Sequence, residues 1–388
     1  MPAPPNRAWA ILALAAFIAL ANYLHTATFV ALLNTEGLRG DFRLSNMFAA
    51  FSAANISGAI LGGIAVWLLG ARWAVLGALV VWILAAILAS AGGGASLVTA
   101  RGLHGFAAPA LLIGSYQAIA EWIPRGFHGL SVALVRALPV IAVPIVGMYG
   151  APWVKLGLQT SFLAIAVLGV ILAVLWVTTV TPRPGMPPPD RVNAGGAALA
   201  SPVSWGLIVG VFLIGMFSSL LFSRLQIAMQ QEFRMPSSIV PTAVSVVAMI
   251  VGALFSDVTI QSGVSAGTSR GITTLIAGGM MLTVVLLAFG PASLLAVAVL
   301  SLVFAGYQMW SVVMYAAAID AVPPAGVGLV AGVAMFLSSL GSVIISVLIP
   351  RALGALSVGG IAFCMGVLAL LALTMSALVW RIPRNEVS

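Results

Sequence analysis

The sequence predicts an all-α membrane protein of twelve transmembrane helices in two six-helix bundles. Of its 388 residues, 62% are hydrophobic and 6% charged, whereas soluble domains are about a quarter charged. The mean hydropathy is +1.18. The apolar residues fall into twelve runs, each near the roughly 20 helical residues that cross a hydrocarbon core about 30 Å thick. A Pro-rich interval divides these runs six and six.

The first run, 8–33, follows Arg7. It is longer than the core of a signal peptide, which spans about 7 to 15 residues, so it reads as the first span. The runs 44–69, 73–92, 96–121, 129–150 and 159–180 complete a first bundle over 1–180. Backbone amides cannot stay unpaired in lipid, so such runs form helices or a closed barrel. Barrel strands alternate apolar and polar residues, and these runs are apolar all round.

The longest polar interval runs from Thr181 to Ser201, with Pro182, Pro184, Pro187, Pro188 and Pro189 ahead of Gly195 and Gly196. It predicts a cytoplasmic linker over 181–203, stiff at first and then loose. The second bundle, 204–388, holds the runs 204–229, 238–257, 270–289, 292–319, 326–349 and 359–381. Two equal halves are the internal repeat of a two-bundle transporter.

Placing both termini in the cytoplasm puts eight basic residues on inner segments and five on outer loops, the bias expected of an inner-membrane protein. The net charge of +8 comes from residues scattered singly at run ends, unlike the clustered patch that binds nucleic acid. The single cysteine, Cys364, excludes an internal disulfide or a cysteine-based metal site. With three histidines, no HExxH and no usable Cys–His pair, no catalytic or metal constellation can be assembled. We expect no cofactor, no metal, no enzymatic activity, and a monomer in the lipid bilayer.

Several motifs point to a known family. Arg101–Gly102–Leu103–His104–Gly105 opens the fourth run, and Ala120–Glu121–Trp122–Ile123–Pro124–Arg125 closes it. Both resemble fourth-helix elements of the major facilitator superfamily, in particular its anion:cation symporter branch, with His104 where Gln is usual. Gly62–Gly63 through Gly70–Ala71–Arg72 is similar to the family's loop motif, with Trp67 and Leu68 at its Asp and Arg positions. Gly252 through Asp257 resembles the second-half copy, and Asp320–Ala321–Val322–Pro323 the branch's Asp-x-x-Pro turn. Pro139, Pro144 and Gly147 resemble part of a kinked fifth-helix motif. The branch often carries Asp-Arg in the first span, where this chain has His25 and Thr26, and Ala108 stands at a common Glu position. The resemblance implies alternating access, with Gly63, Gly70, Arg72, Pro139, Pro144, Asp257 and Asp320 in gating or structural roles.

All eight acids fall in loops or at run ends, while Arg101, Arg136 and Arg224 lie inside runs. A guanidinium in a membrane costs about 2.5 to 3.5 kcal/mol at mid-helix, so each faces a cavity or a partner, or else snorkels to an interface. With no membrane carboxylate near the midplane, an anionic ligand is the natural counter-charge. Asn22, Tyr23 and His25 in the first run, Tyr116 and Gln117 in the fourth, Gln226 in the seventh, and Tyr307, Gln308 and Trp310 in the tenth are further lining candidates. Their alternative roles are interhelical hydrogen bonding and packing. Coupling to protons falls to His25 or His104, whose imidazoles change charge near neutral pH. The reading is an alternating-access transporter of a small organic anion held between the bundles. The alternative is a drug or metabolite efflux pump of the same fold.

Overall fold

The computed structural model describes residues 5–35, 41–181, 190–225, 239–290, 293–352 and 357–382. Its side-chain description covers these apart from 5, 30–35, 41–45, 142–154, 223–224, 239, 293 and 347–352. Among the described residues there are twelve α-helices and no strand. The first six are α1 (Pro5–Thr35), α2 (Asp41–Ser90), α3 (Gly94–Trp122), α4 (His128–Val154), α5 (Gly157–Thr179) and α6 (Arg191–Ala200). The others are α7 (Pro202–Leu220), α8 (Ile239–Gln261), α9 (Ala266–Leu282), α10 (Ser293–Ala321), α11 (Val327–Ala352) and α12 (Val358–Ser376). Every predicted run coincides with helix over its described residues apart from Ala91 and Gly92, which follow the end of α2, and Val180, which follows the end of α5, and the chain is a multi-pass membrane protein.

The second and third runs are joined without a loop. Their apolar stretch, Asn46–Ser90, is 45 residues long, and its one non-helical residue is Gly70, with φ 79° and ψ 165°. Only glycine adopts that conformation readily. A Cβ at Gly70 would also lie 2.5 Å from the Arg191 guanidinium.

Side-chain caps set other boundaries. Ser265 accepts a hydrogen bond from the Thr268 amide at 3.2 Å, satisfying a first-turn donor. Helix α9 therefore starts at Ala266, ahead of the run read from the sequence, and Arg270 lies inside it. Ser357 caps α12 through the Gly360 amide at 3.3 Å.

The linker departs from expectation. Its Gly/Ala part is not loose but forms α6. Asp190 accepts from the Asn193 amide at 3.1 Å and so caps that helix. Gly195 is buried against the Trp67 indole, and this packing outweighs the low helix propensity of the paired glycines. The segment 182–189 lies outside the described residues.

The chain forms two compact units. The first comprises residues 1–124, 134–198 and 323–333; the second comprises 125–133, 199–322 and 334–388. Each unit therefore takes in a short segment from the opposite half of the sequence.

Candidate functional site

The first unit contains a buried polar cluster built by helical spacing. Asn22 and His25 share one face of α1, and Arg101 and His104 share one face of α3, because residues three apart lie one above the other. The His25 and His104 rings stack at 3.9 Å with planes 13° apart. Arg101 Nη1 lies 3.2 Å from His104 Nδ1, and His104 Nε2 lies 3.0 Å from Asn22 Oδ1. Guanidinium only donates, so Nδ1 accepts, and the ring proton on Nε2 goes to Asn22.

Aromatic rings complete the cluster. The Arg101 guanidinium sits 4.0 Å from the Phe51 ring centre and 5.2 Å from that of Phe29. Gly105 makes this approach possible, since a Cβ there would meet the Phe51 carbonyl oxygen at 2.5 Å. Trp82 and Phe162 stand edge-on to His25 at 5.2 and 5.3 Å. Arg101 is 3% exposed. Among the described side chains it has no carboxylate within ion-pair distance, and its partners there are an imidazole and two phenyl rings. Cation–π contacts of this kind contribute about 2 kcal/mol when desolvated, which offsets only part of the cost of burying the charge. His25 Nδ1 is buried without a hydrogen-bond partner.

Other predicted residues of this unit serve different ends. Arg136, half-buried on α4, donates from Nη1 to the Tyr116 hydroxyl at 3.3 Å. Gln117 is fully buried and accepts from the Gly328 amide at 2.9 Å, at the start of α11. Its amide in turn donates to Glu121 at 2.8 Å. Gly63 lies against the Gly332 backbone. The Arg72 guanidinium rests 4.9 Å from the Trp73 ring centre. Tyr23 is on the exposed surface. Pro139 is half-buried in α4; Pro144 is in the same helix, but its side chain lies outside the described residues.

The second unit holds an ion cluster. Arg270, fully buried, pairs with Asp257 at 2.7 Å and with Asp320 at 3.0 Å. Asp257 accepts from the amides of Gly129 and Leu130 at 3.1 and 2.7 Å, where the positive end of α4 favours a carboxylate. Asp320 also meets His128 Nδ1 at 2.7 Å, and the Arg125 guanidinium donates to the Asp320 carbonyl. Trp310 donates to Ser376 at 2.7 Å and is fully buried. Gln308 is buried, and Tyr307 stacks on Phe217 with ring centres 6.3 Å apart. The Arg224 side chain and all of Gln226 lie outside the described residues.

Arg270, at the start of its apolar run, and His128, just ahead of the fifth run, were not among the candidate site residues, and the structure buries both. The available signal was Asp257, in the copy of the loop motif, followed by Arg270 as the next basic residue of the chain. Among the described residues there is no cluster of metal-ligating side chains.

Comparison with known proteins agrees with this architecture. The family model of the Major Facilitator Superfamily matches residues 11–346. The chain belongs to that superfamily: it is a membrane transporter of small solutes and not an enzyme. No curated protein matches it. The fold is similar to that of the E. coli fucose:proton symporter FucP, at 13% identity and TM-score 0.75, over 96% of this chain and 98% of that one. It is similar to the proton:xylose symporter XylE at 16% identity and TM-score 0.71, over 95% of each chain. It is also similar to the human organic anion transporter TETRAN at 15% identity and TM-score 0.67, over 96% of this chain and 100% of that one.

Proposed function

We propose that this transporter carries a small organic anion, such as a carboxylate, sugar acid or phosphorylated metabolite, across the inner membrane by alternating access, with both termini in the cytoplasm. The observation that carries the reading is Arg101, buried among an imidazole and two phenyl rings with no carboxylate beside it among the described side chains. Guanidinium cannot discharge itself by losing its proton. An entering carboxylate or phosphate supplies the missing counter-charge, and its oxygens match the planar fork. Arg136, which donates to Tyr116, is a further cation of the first unit, and Arg224 is a candidate from the sequence. The motifs at 101–105 and 120–125 support the same reading through the anion:cation symporter branch. The fold relatives include sugar symporters and an organic anion transporter, and a sugar acid combines the two solute classes.

The test is thermal stabilisation of the purified protein by gluconate, lactate, glucose 6-phosphate, inorganic phosphate and the cationic dye ethidium. A ligand of the native state at a hundred times its Kd adds about 2.7 kcal/mol of apparent stability. An anion stabilises the parent, and Arg101→Gln, Arg136→Ala and Arg224→Ala each weaken its binding roughly tenfold to 150-fold. Arg136→Lys and Arg224→Lys recover part of the loss, since lysine keeps the charge without the fork. Stabilisation by ethidium with no anion effect replaces this reading with drug efflux.

A further inference from the structure

The His25–His104 stack is more than packing. A buried ring nitrogen without a partner, as at His25 Nδ1, is an exception among buried polar atoms and calls for an explanation. His104 has no such freedom: Nδ1 accepts from Arg101, and Nε2 donates to Asn22. It can take a proton only by releasing Arg101.

We infer that His25 is the proton acceptor of the first unit, and that it is protonated when an anion neutralises Arg101. This rests on the anion reading above. The groups facing His25 are Asn22 on its own helix, Arg101 and His104 on α3, Trp82 on α2 and Phe162 on α5. Among the described residues Arg101 is therefore the one fixed charge at the site. Counted over the described side chains, the site at rest carries a single positive charge. An imidazolium formed then would stand against a guanidinium in a medium that screens poorly. A bound monoanion brings the sum to zero, and a proton transferred from hydronium to the His25 lone pair restores it to one, leaving water. The site is thus in the same charge state when empty as when it holds anion and proton together, and the two travel as a pair. Only one of the stacked rings is charged at a time, because a second imidazolium would face the first at 3.9 Å.

The chain has three histidines, so His128→Asn in 15N-histidine-labelled protein leaves two imidazoles to observe by NMR. With Arg101 intact and no anion, both rings stay neutral between about pH 5 and 8, the range in which histidine ordinarily titrates. In Arg101→Gln, which removes the charge as an anion would, one ring titrates in that range, and it still does after the added change His104→Gln, which leaves His25 as the one remaining imidazole. Titration of His25 in the parent at the same pH as in Arg101→Gln overturns the proposal, as does the absence of titration once His104→Gln is added. Calorimetry with gluconate in buffers of different ionisation enthalpy gives the second measurement. The parent takes up one proton per anion bound, and His25→Gln takes up none. Gluconate binding to the parent without proton uptake overturns the coupling and leaves the anion reading standing. If neither gluconate nor the other anions bind, the anion reading falls and this proposal falls with it, whereas the Arg101→Gln titration shows separately whether the charge at 101 controls His25.

Discussion

Trp67 and Arg191 hold each other through their backbones. The indole N–H donates to the Arg191 carbonyl at 2.5 Å, and the Arg191 guanidinium donates to the Trp67 carbonyl at 3.0 Å. Trp67 occupies the position where the family's loop motif carries an aspartate, so a reciprocal, backbone-directed clasp stands where that motif has a charge. The clasp fastens α6 to α2 and closes over Gly70, whose missing side chain leaves room for the guanidinium.

The first prediction follows from that pair. Trp67→Phe keeps an aromatic side chain but removes the donor and the part of the indole that meets Gly195, and loss of the hydrogen bond alone costs about 1 kcal/mol. Amide hydrogen exchange in 191–200 should quicken about fivefold, with exchange in α12 unchanged. Unchanged exchange in α6 would show that the clasp does not hold it.

A second prediction concerns Arg270. Its guanidinium pairs with two buried carboxylates, and removing one partner of a buried pair typically costs about 3 to 5 kcal/mol. Arg270→Ala should lower the melting temperature sharply, and Arg270→Lys should restore part of it. Because Arg270 and Asp320 act on each other directly, the double change Arg270→Ala with Asp320→Ala should cost less than the sum of the single changes. Additive losses would mean that the two residues do not depend on one another.

Topology provides the third. Gly196 has open space around its α-carbon, and Ala91 is exposed at the end of α2. Cysteines placed singly at these positions, with Cys364 replaced by Ser, should react with impermeant maleimide from opposite sides of the membrane. Position 196 should react from the cytoplasm. Labelling of both from one side contradicts the assigned orientation.

The helices were legible because bilayer thickness and the need to pair every amide leave little choice for a long apolar run. Their ends were less so: Ser265 moves the start of α9 ahead of its apolar run by capping it. Arg101, His104, His25 and Asn22 each stood out as polar residues in apolar surroundings. That the two imidazoles stack is a fact of tertiary packing between α1 and α3, which no spacing within either helix discloses. Arg270 and His128 were harder to read. In one dimension a charge at a helix end looks solvated, and their common partner Asp320 is 50 and 192 positions away. Trp310, a lining candidate by its place among polar neighbours, donates to Ser376, 66 positions on.

The segment 125–133 belongs to the second unit, and this matters while the chain is still on the ribosome. His128 is synthesised 192 residues before Asp320. At 5 to 20 residues per second, that is a wait of roughly 10 to 40 s. For about the first two-thirds of that interval, until Asp257 is made, the first amides of α4 also have no carboxylate to receive them. The first unit waits as well, because it is complete only once residue 333 has emerged. A nascent chain released at the linker is thus a finished half of the gene but not a finished half of the fold.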